Sequence, residues 1–227
     1  MKRITYFISA GFMLCLLTFT SGCKTEPKAV EEPIPASSYK AIMVKHSVAS
    51  YPAWKEVYMG HDSVRQAYGI TPMFIARGSE DTTTVLVMNK LTDVQKAKDF
   101  AASPDLKMVM EKAGVTGPPT VAFLDVVRDD TSSIPQNDRL MVVHKVKDYD
   151  TWLKAYDGEG RATRAANGLL DRGLAREIDD PNMVYVVFAV TDKAKAMARM
   201  QSEELKKLMT DAGIEGPPSF YFYTRQN

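Results

Sequence analysis

The stretch AGVTGPP, Ala113 to Pro119, returns nearly unchanged as AGIEGPP, Ala212 to Pro218. The echo belongs to an ordered series. His46-Ser47-Val48 aligns with His144-Lys145-Val146, Tyr51 and Trp54 with Tyr149 and Trp152, Tyr58 with Tyr156, and Gly60 with Gly158, all at an offset of 98. After one inserted residue the offset is 99. Arg77 then meets Arg176, Thr92-Asp93 meets Thr191-Asp192, and Gly117-Pro118-Pro119 meets Gly216-Pro217-Pro218. Ordered matches with a single slip mark a duplication, and a period near a hundred residues means two whole domains rather than a solenoid.

Each copy reads in the same order. AIMVKHSV and LMVVHKV are short runs rich in β-branched residues, as strands are. Ser50 and Asp148 follow as N-cap candidates, and Trp54, Val57, Tyr58, His61 and Val64 recur at helical spacing. MFIAR with TVLVMN, and GLARE with MVYVVFAV, read as β-hairpins. Thr92 and Thr191 are the expected caps of a second helix. A last strand follows the repeated phrase, TVAFLDVV or SFYFYT. Gly114 and Gly213 suit the left-handed position just past a helix, and the following Gly-Pro-Pro suits an extended exit into an edge-type strand. Gly60 and Gly158 fall inside a predicted helix, where their repetition suggests a kink or a close backbone approach.

The order β-α-β-β-α-β, twice, is the ferredoxin-like split βαβ pattern. Both parities of TVLVMN and MVYVVFAV are apolar, so both faces of each sheet must be covered. Two such domains packed sheet to sheet achieve this. The expected fold class is therefore α+β, with tandem ferredoxin-like domains forming an intramolecular dimeric α/β barrel. The second copy, with its VKDYDTW and DDPN segments, resembles the small proteins of the dimeric α/β-barrel superfamily, to which antibiotic-biosynthesis monooxygenases belong. The resemblance extends over both copies. It implies a pseudo-dimer within one chain, and hence a monomer, but it specifies activity weakly because the fold hosts unrelated chemistries.

The first residues have another purpose. Lys2 and Arg3 precede an apolar run from Ile4 to Phe19, which ends on Thr20-Ser21-Gly22-Cys23. This resembles a bacterial lipoprotein signal, with cleavage before Cys23 and lipid attached to that cysteine. Residues 1–22 are then the signal peptide, 23–38 a flexible tether rich in Pro, Glu, Ala and Ser, 39–127 the first domain, 128–138 a linker and 139–227 the second domain. The expected location is the bacterial cell envelope, lipid-anchored, on the outer membrane. Of the two cysteines, Cys15 leaves with the signal and Cys23 is acylated, so neither disulfides nor thiol chemistry are expected. Removing Lys2 and Arg3 from the 29 basic side chains leaves 27 against 28 acidic ones. That balance argues against nucleic-acid binding and leaves the lipid as the membrane contact.

His46 and His144 are the candidate catalytic residues, each late on a first strand and placed to act as a base at the barrel mouth. Trp54, Tyr58, Trp152 and Tyr156 form i, i+4 aromatic pairs suited to a flat ligand. His61, whose counterpart is Glu159, joins them. Arg77 and Arg176 end the second strand of each copy, where they are placed to clamp an anion or to pair with Glu80 and Asp179. No metal motif, phosphate loop, nucleophile elbow or dinucleotide fingerprint is present, and neither a metal nor a cofactor is implied. The expected function is binding of a small apolar or aromatic molecule in the barrel. The alternatives are a cofactor-independent, monooxygenase- or isomerase-like enzyme using a barrel histidine, and a non-catalytic protein-interaction module.

Overall fold

The computed structural model describes residues 34–226. The expected signal peptide, Cys23 and most of the expected tether lie outside the described residues. The first copy comprises β1 (Ala36–Ser47), α1 (Tyr51–Gly60), α2 (Asp62–Ala67), β2 (Ile70–Gly78), β3 (Thr84–Leu91), α3 (Val94–Ala101), α4 (Pro104–Lys112) and β4 (Thr120–Asp129). The second comprises β5 (Asp138–Val146), α5 (Tyr149–Glu159), α6 (Arg161–Ala166), β6 (Leu169–Glu177), β7 (Met183–Val190), α7 (Lys193–Gln201), α8 (Glu203–Asp211) and β8 (Ile214–Gln226).

The strands close into a barrel in the order β1-β3-β2-β8-β5-β7-β6-β4. Each copy keeps the ferredoxin-like order, last strand, first, third, second. The expected tandem ferredoxin-like pseudo-dimer is thus the observed architecture. Its seams are β2 with β8 (Ile75 opposite Gln226 through Gly78 opposite Tyr223) and β4 with β6 (Leu124 opposite Glu177 through Asp129 opposite Gly173). Neither β4 nor β8 is an edge, contrary to the reading from their proline-rich starts. Pro118 and Pro119 precede β4, and Pro217 and Pro218 sit where the β5–β8 register shifts, so the missing N–H groups fall outside the regular ladder. Among the described residues every strand has a neighbour on both sides, although the first residues of β2 and β6 pair on one side only.

Alternation along each strand sends one set of side chains into the lumen and the other under the helices. Met43, Leu86, Leu124, Met141, Tyr185 and Tyr223 belong to the inner set. Val48, Trp54, Val85 and Val87 pack between the first sheet and its helices, and Leu140, Trp152, Leu169 and Val184 do so in the second copy.

Each expected helix is two. The first pair breaks at His61 in one copy and at Gly160 in the other, where Gly160 takes φ +84°. A Cβ at Gly60 or Gly158 would meet no atom within 4 Å, so these glycines do not admit a close neighbour. The second pair breaks at Ser103 and Ser202, whose hydroxyls accept from the N–H groups of Leu106 and Leu205. The caps of α3 and α7 are Asp93 and Asp192 rather than Thr92 and Thr191. Their carboxylates accept from Lys96 and Lys195 N–H, and a charged acceptor at a helix N-terminus outcompetes the adjacent hydroxyl. Ser50 caps α1 by position only, whereas Asp148 accepts from Thr151 N–H.

The repeated phrase closes α4 and α8. Gly114 and Gly213 have φ +75° and +78°. Val115 N–H reaches Met110 O and Gly114 N–H reaches Glu111 O, both at 3.0 Å, the paired bonds of a Schellman cap. The same segment is pinned to the end of the first strand of its copy, through Ala49 N–H to Gly114 O at 2.8 Å and Lys147 N–H to Gly213 O at 2.9 Å.

The first domain begins before residue 39, the expected end of the tether being residue 38. β1 begins at Ala36, Asp129 N–H donates to Pro35 O at 3.1 Å, and Ile34 is buried in the helix-side core of the second copy with Leu140 and Leu174. The linker between copies contracts to residues 130–137.

Candidate functional site

Two kinds of space bear on the residues singled out in the sequence. The first is a matched pair of slots between sheet and helices. His46 on β1 and His144 on β5 face these slots and not the lumen, because they share parity with Ile42 and Val44, and with Leu140 and Val142. His46 also lines a cavity of about 450 Å³ at the end of the barrel where β1 finishes, with Lys45, Ser47, Gly78 and Tyr221. Both faces of the sheet are dry, so apolar parity does not reveal which face looks inward.

In the first slot the His46 ring lies 5.6 Å from Trp54, Trp54 stacks on Tyr58 at 4.9 Å, and Arg65 lies over Tyr58 at 3.8 Å. In the second the series repeats as His144 to Trp152 at 5.3 Å, Trp152 to Tyr156 at 5.2 Å and Arg164 over Tyr156 at 4.0 Å. Neither imidazole has a hydrogen-bond partner on either nitrogen, and each residue is 7% exposed. Burial without a counter-charge lowers both pKa values to about 4. The rings are neutral at pH 7 and weak as bases.

The slots differ at their polar ends. Tyr58 donates to Asn89 Oδ1 at 2.9 Å, and His61 lines this slot while stacking on Phe100. In the second copy Glu159, the counterpart of His61, binds Arg164 at 3.2 Å and Arg199 at 2.8 Å, and Arg164 makes a two-pronged bond to buried Asp171 at 2.8 and 2.7 Å. The slots are small, about 110 and 100 Å³. Six of the residues singled out in the sequence for chemistry or ligand binding, together with His61, thus assemble here.

Arg77 and Arg176 do not join them. Arg77 donates to Thr82 O and stacks on Tyr51, while Arg176 donates to Pro181 O and stacks on Tyr149. They clamp the hairpin turns. The carboxylates expected beside them are engaged elsewhere, Glu80 with Lys193 and Asp179 with Lys98.

The second space is the lumen, about 480 Å³ at one end of the barrel. Its depth is apolar, with Met43, Leu86, Met88, Leu124 and Met141, and carries the phenols of Tyr185 and Tyr223, which burial raises to about 12. Asp129, Asp130, Arg139, Arg172 and Arg225 line the mouth, and the linker crosses it through Ser132, Ser133 and Ile134. Arg172 holds the linker by bonds to Ser132 O at 2.6 Å and Ser132 Oγ at 3.1 Å. The mouth arginines were not evident from either copy alone, since they come from three strands far apart in sequence. The difference between copies is the signal that finds them: at offsets of 98, 99 and 99, Arg139, Arg172 and Arg225 stand where the first copy has Ala41, Met73 and Val126. Among the described residues no three metal-ligating side chains cluster, and no helix is long and apolar enough to cross a membrane.

No protein-family model and no curated protein matches the chain. Solved structures do. An anthrone oxidase-like protein superposes with a TM-score of 0.56 at 13% identity, covering 86% of this chain and 95% of that one. A putative monooxygenase from Fusobacterium nucleatum gives 0.54 at 16% identity, with 84% and 94% covered. One from Lactobacillus acidophilus gives 0.50 at 13%, with 83% and 94% covered. Such coverage spans both copies, and at these identities what is shared is the fold.

Proposed function

We propose that this protein is a lipid-anchored cell-envelope protein that carries a small apolar or aromatic molecule in its barrel lumen, without catalysis. One observation supports this above the others. The lumen is an open cavity of about 480 Å³ with an apolar floor and a polar mouth, the form and size typical of ligand sites. The slots beneath the helices have less than a quarter of that volume. Anchoring is through lipid on Cys23, on the outer membrane, with the barrel acting as a monomer. The test is titration with the neutral fluorophore 1-aminoanthracene. Saturable enhancement is expected, and Met88→Trp, which fills the lumen, should abolish it. Binding unaffected by Met88→Trp refutes the lumen as the site. Palmitate labelling that persists in Cys23→Ser refutes the anchor.

A second reading rests on the histidines. Two buried imidazoles with unpartnered nitrogens each face a slot beside a Trp and a Tyr. The neighbours described as putative monooxygenases and as anthrone oxidase-like make a cofactor-independent oxygenase the natural alternative. Oxygen consumption with a panel of quinols, lost in His46→Ala with His144→Ala, supports it. Absence of turnover across the panel excludes it for that substrate class.

A further inference from the structure

The lumen mouth is polarised, and its charge is incompletely used. Every neighbouring pair of strands is antiparallel. Four steps separate β1 from β5, so the two run the same way and both begin at the mouth. Paired positions of the two copies therefore face one another at the same depth. One wall carries Ala41, Met73 and Val126, and the opposite wall carries Arg139, Arg172 and Arg225.

Of the acids at this end only Asp130 is paired with cations; Asp129 and Asp138 accept from neutral hydroxyls and keep their charge. Asp130 meets Arg172 at 3.5 Å and Arg161 at 3.6 Å, Asp129 accepts from Tyr39 Oη at 2.8 Å, and Asp138 accepts from Thr224 Oγ1 at 2.6 Å. Arg139 is 5% exposed, yet among the described residues no carboxylate lies within 4 Å of its guanidinium. It donates from Nη1 alone, to Gln136 O at 2.6 Å and Asp138 O at 3.1 Å. Burial holds its pKa below the usual arginine value; Tyr223 and the Asp138 carboxylate act against that shift, and the like charges of Arg225 and Arg172 add to it. Arg225 stacks over Phe74 at 4.4 Å and has no carboxylate partner among the described residues. A buried arginine hydrogen-bonded only to carbonyls, opening on a cavity, is stabilised further when an anion completes it.

We infer that the lumen takes an amphiphilic anion, its single carboxylate or phosphate head bound by Arg139 and Arg225 and its apolar body lying among Met43, Met88, Met141 and Tyr223. This rests on the lumen reading and adds the ligand's charge and direction of entry. A planar guanidinium matches either head by two parallel bonds. Methionines accept bodies of varied shape.

The test measures displacement of 1-aminoanthracene by decanoate, decyl phosphate and decanol in the wild-type protein, Arg139→Met and Arg225→Gln. At least one anion is expected to bind about tenfold or more tightly than decanol, the difference a charge-assisted pair provides. Comparison of decanoate with decyl phosphate identifies the head. Arg139→Met should erase that preference while decanol binding persists. Arg225→Gln, at an exposed position, should reduce it in a protein of unchanged stability. Equal binding of anions and alcohol, or a preference that survives both variants, overturns the anion while leaving the apolar lumen intact. Failure of the wild-type protein to bind the fluorophore or any of the three overturns both.

Discussion

The two histidines should make the protein acid-sensitive well above the range in which most carboxylates titrate. Each imidazole has an ordinary pKa of 6.5, which burial lowers to about 4. The unfolded chain therefore binds a proton more readily than the folded one. This contribution to stability is fully present above pH 6.5, is lost as pH falls from 6.5 toward 4, and changes no further below 4. At pH 5 nearly every unfolded-state imidazole is charged and few folded ones are. The loss between pH 7 and pH 5 is then about 2 kcal/mol for each ring and about 4 kcal/mol for both. That is a large part of the 5–15 kcal/mol stability of a typical domain. Urea unfolding at pH 7 and pH 5 measures it. In His46→Leu with His144→Leu the loss should nearly disappear, with stability at pH 7 unchanged or raised, because each leucine replaces unpartnered buried nitrogens with carbon. Each single variant should remove half. A wild-type loss under about 1 kcal/mol, or a double variant that retains the full loss, would refute the burial argument.

Asp171→Ala leaves buried Arg164 with Glu159 as its remaining carboxylate partner, and should cost about 3 kcal/mol, roughly 10 °C in melting temperature. Asp62→Ala, which removes the half-exposed partner of Arg65 in the first copy, should cost less than about 1 kcal/mol; equal losses would contradict the distinction. Ile34→Ala should cost about 2–5 kcal/mol by thermal melting, whereas a loose tether end would show no change. Gly114→Ala or Gly213→Ala forces a side chain into the left-handed region and should cost about 1 kcal/mol each. The added methyl itself meets only ordinary contacts at 3.6 Å, so a larger loss would point to strain elsewhere.

The duplication, the element order and the closed pairing of copies were legible because ordered identities survive with a single slip between offsets of 98 and 99 and both parities of the hairpin strands are apolar. That dryness also concealed which face looks inward. His46 has the parity expected of it, alongside Val44 and Val48, but nothing in a run with two apolar faces distinguishes the lumen from the helix side. The helix breaks did leave a trace, Ser103 followed by Pro104, an N-cap and first-turn pair. The apolar periodicity running through the break outweighed it. Asp171 was illegible because its partner Arg164 lies across a helix-to-strand turn and its counterpart in the first copy is Pro72. The mouth arginines required a subtraction, one copy against the other, and not a motif search.

Fusion of the two copies has a consequence for what such a barrel is able to become. When two identical chains close a barrel, every substitution enters twice, on opposite walls at the same depth. An arginine in place of Ala41 would confront its own image across the lumen, and repulsion would limit how basic either wall became. Joined in one chain, the halves mutate separately. The first carries Ala41 and Val126 where the second carries Arg139 and Arg225. The covalent link thus converts a lumen whose walls symmetry would hold alike into one with a charged wall and an apolar wall.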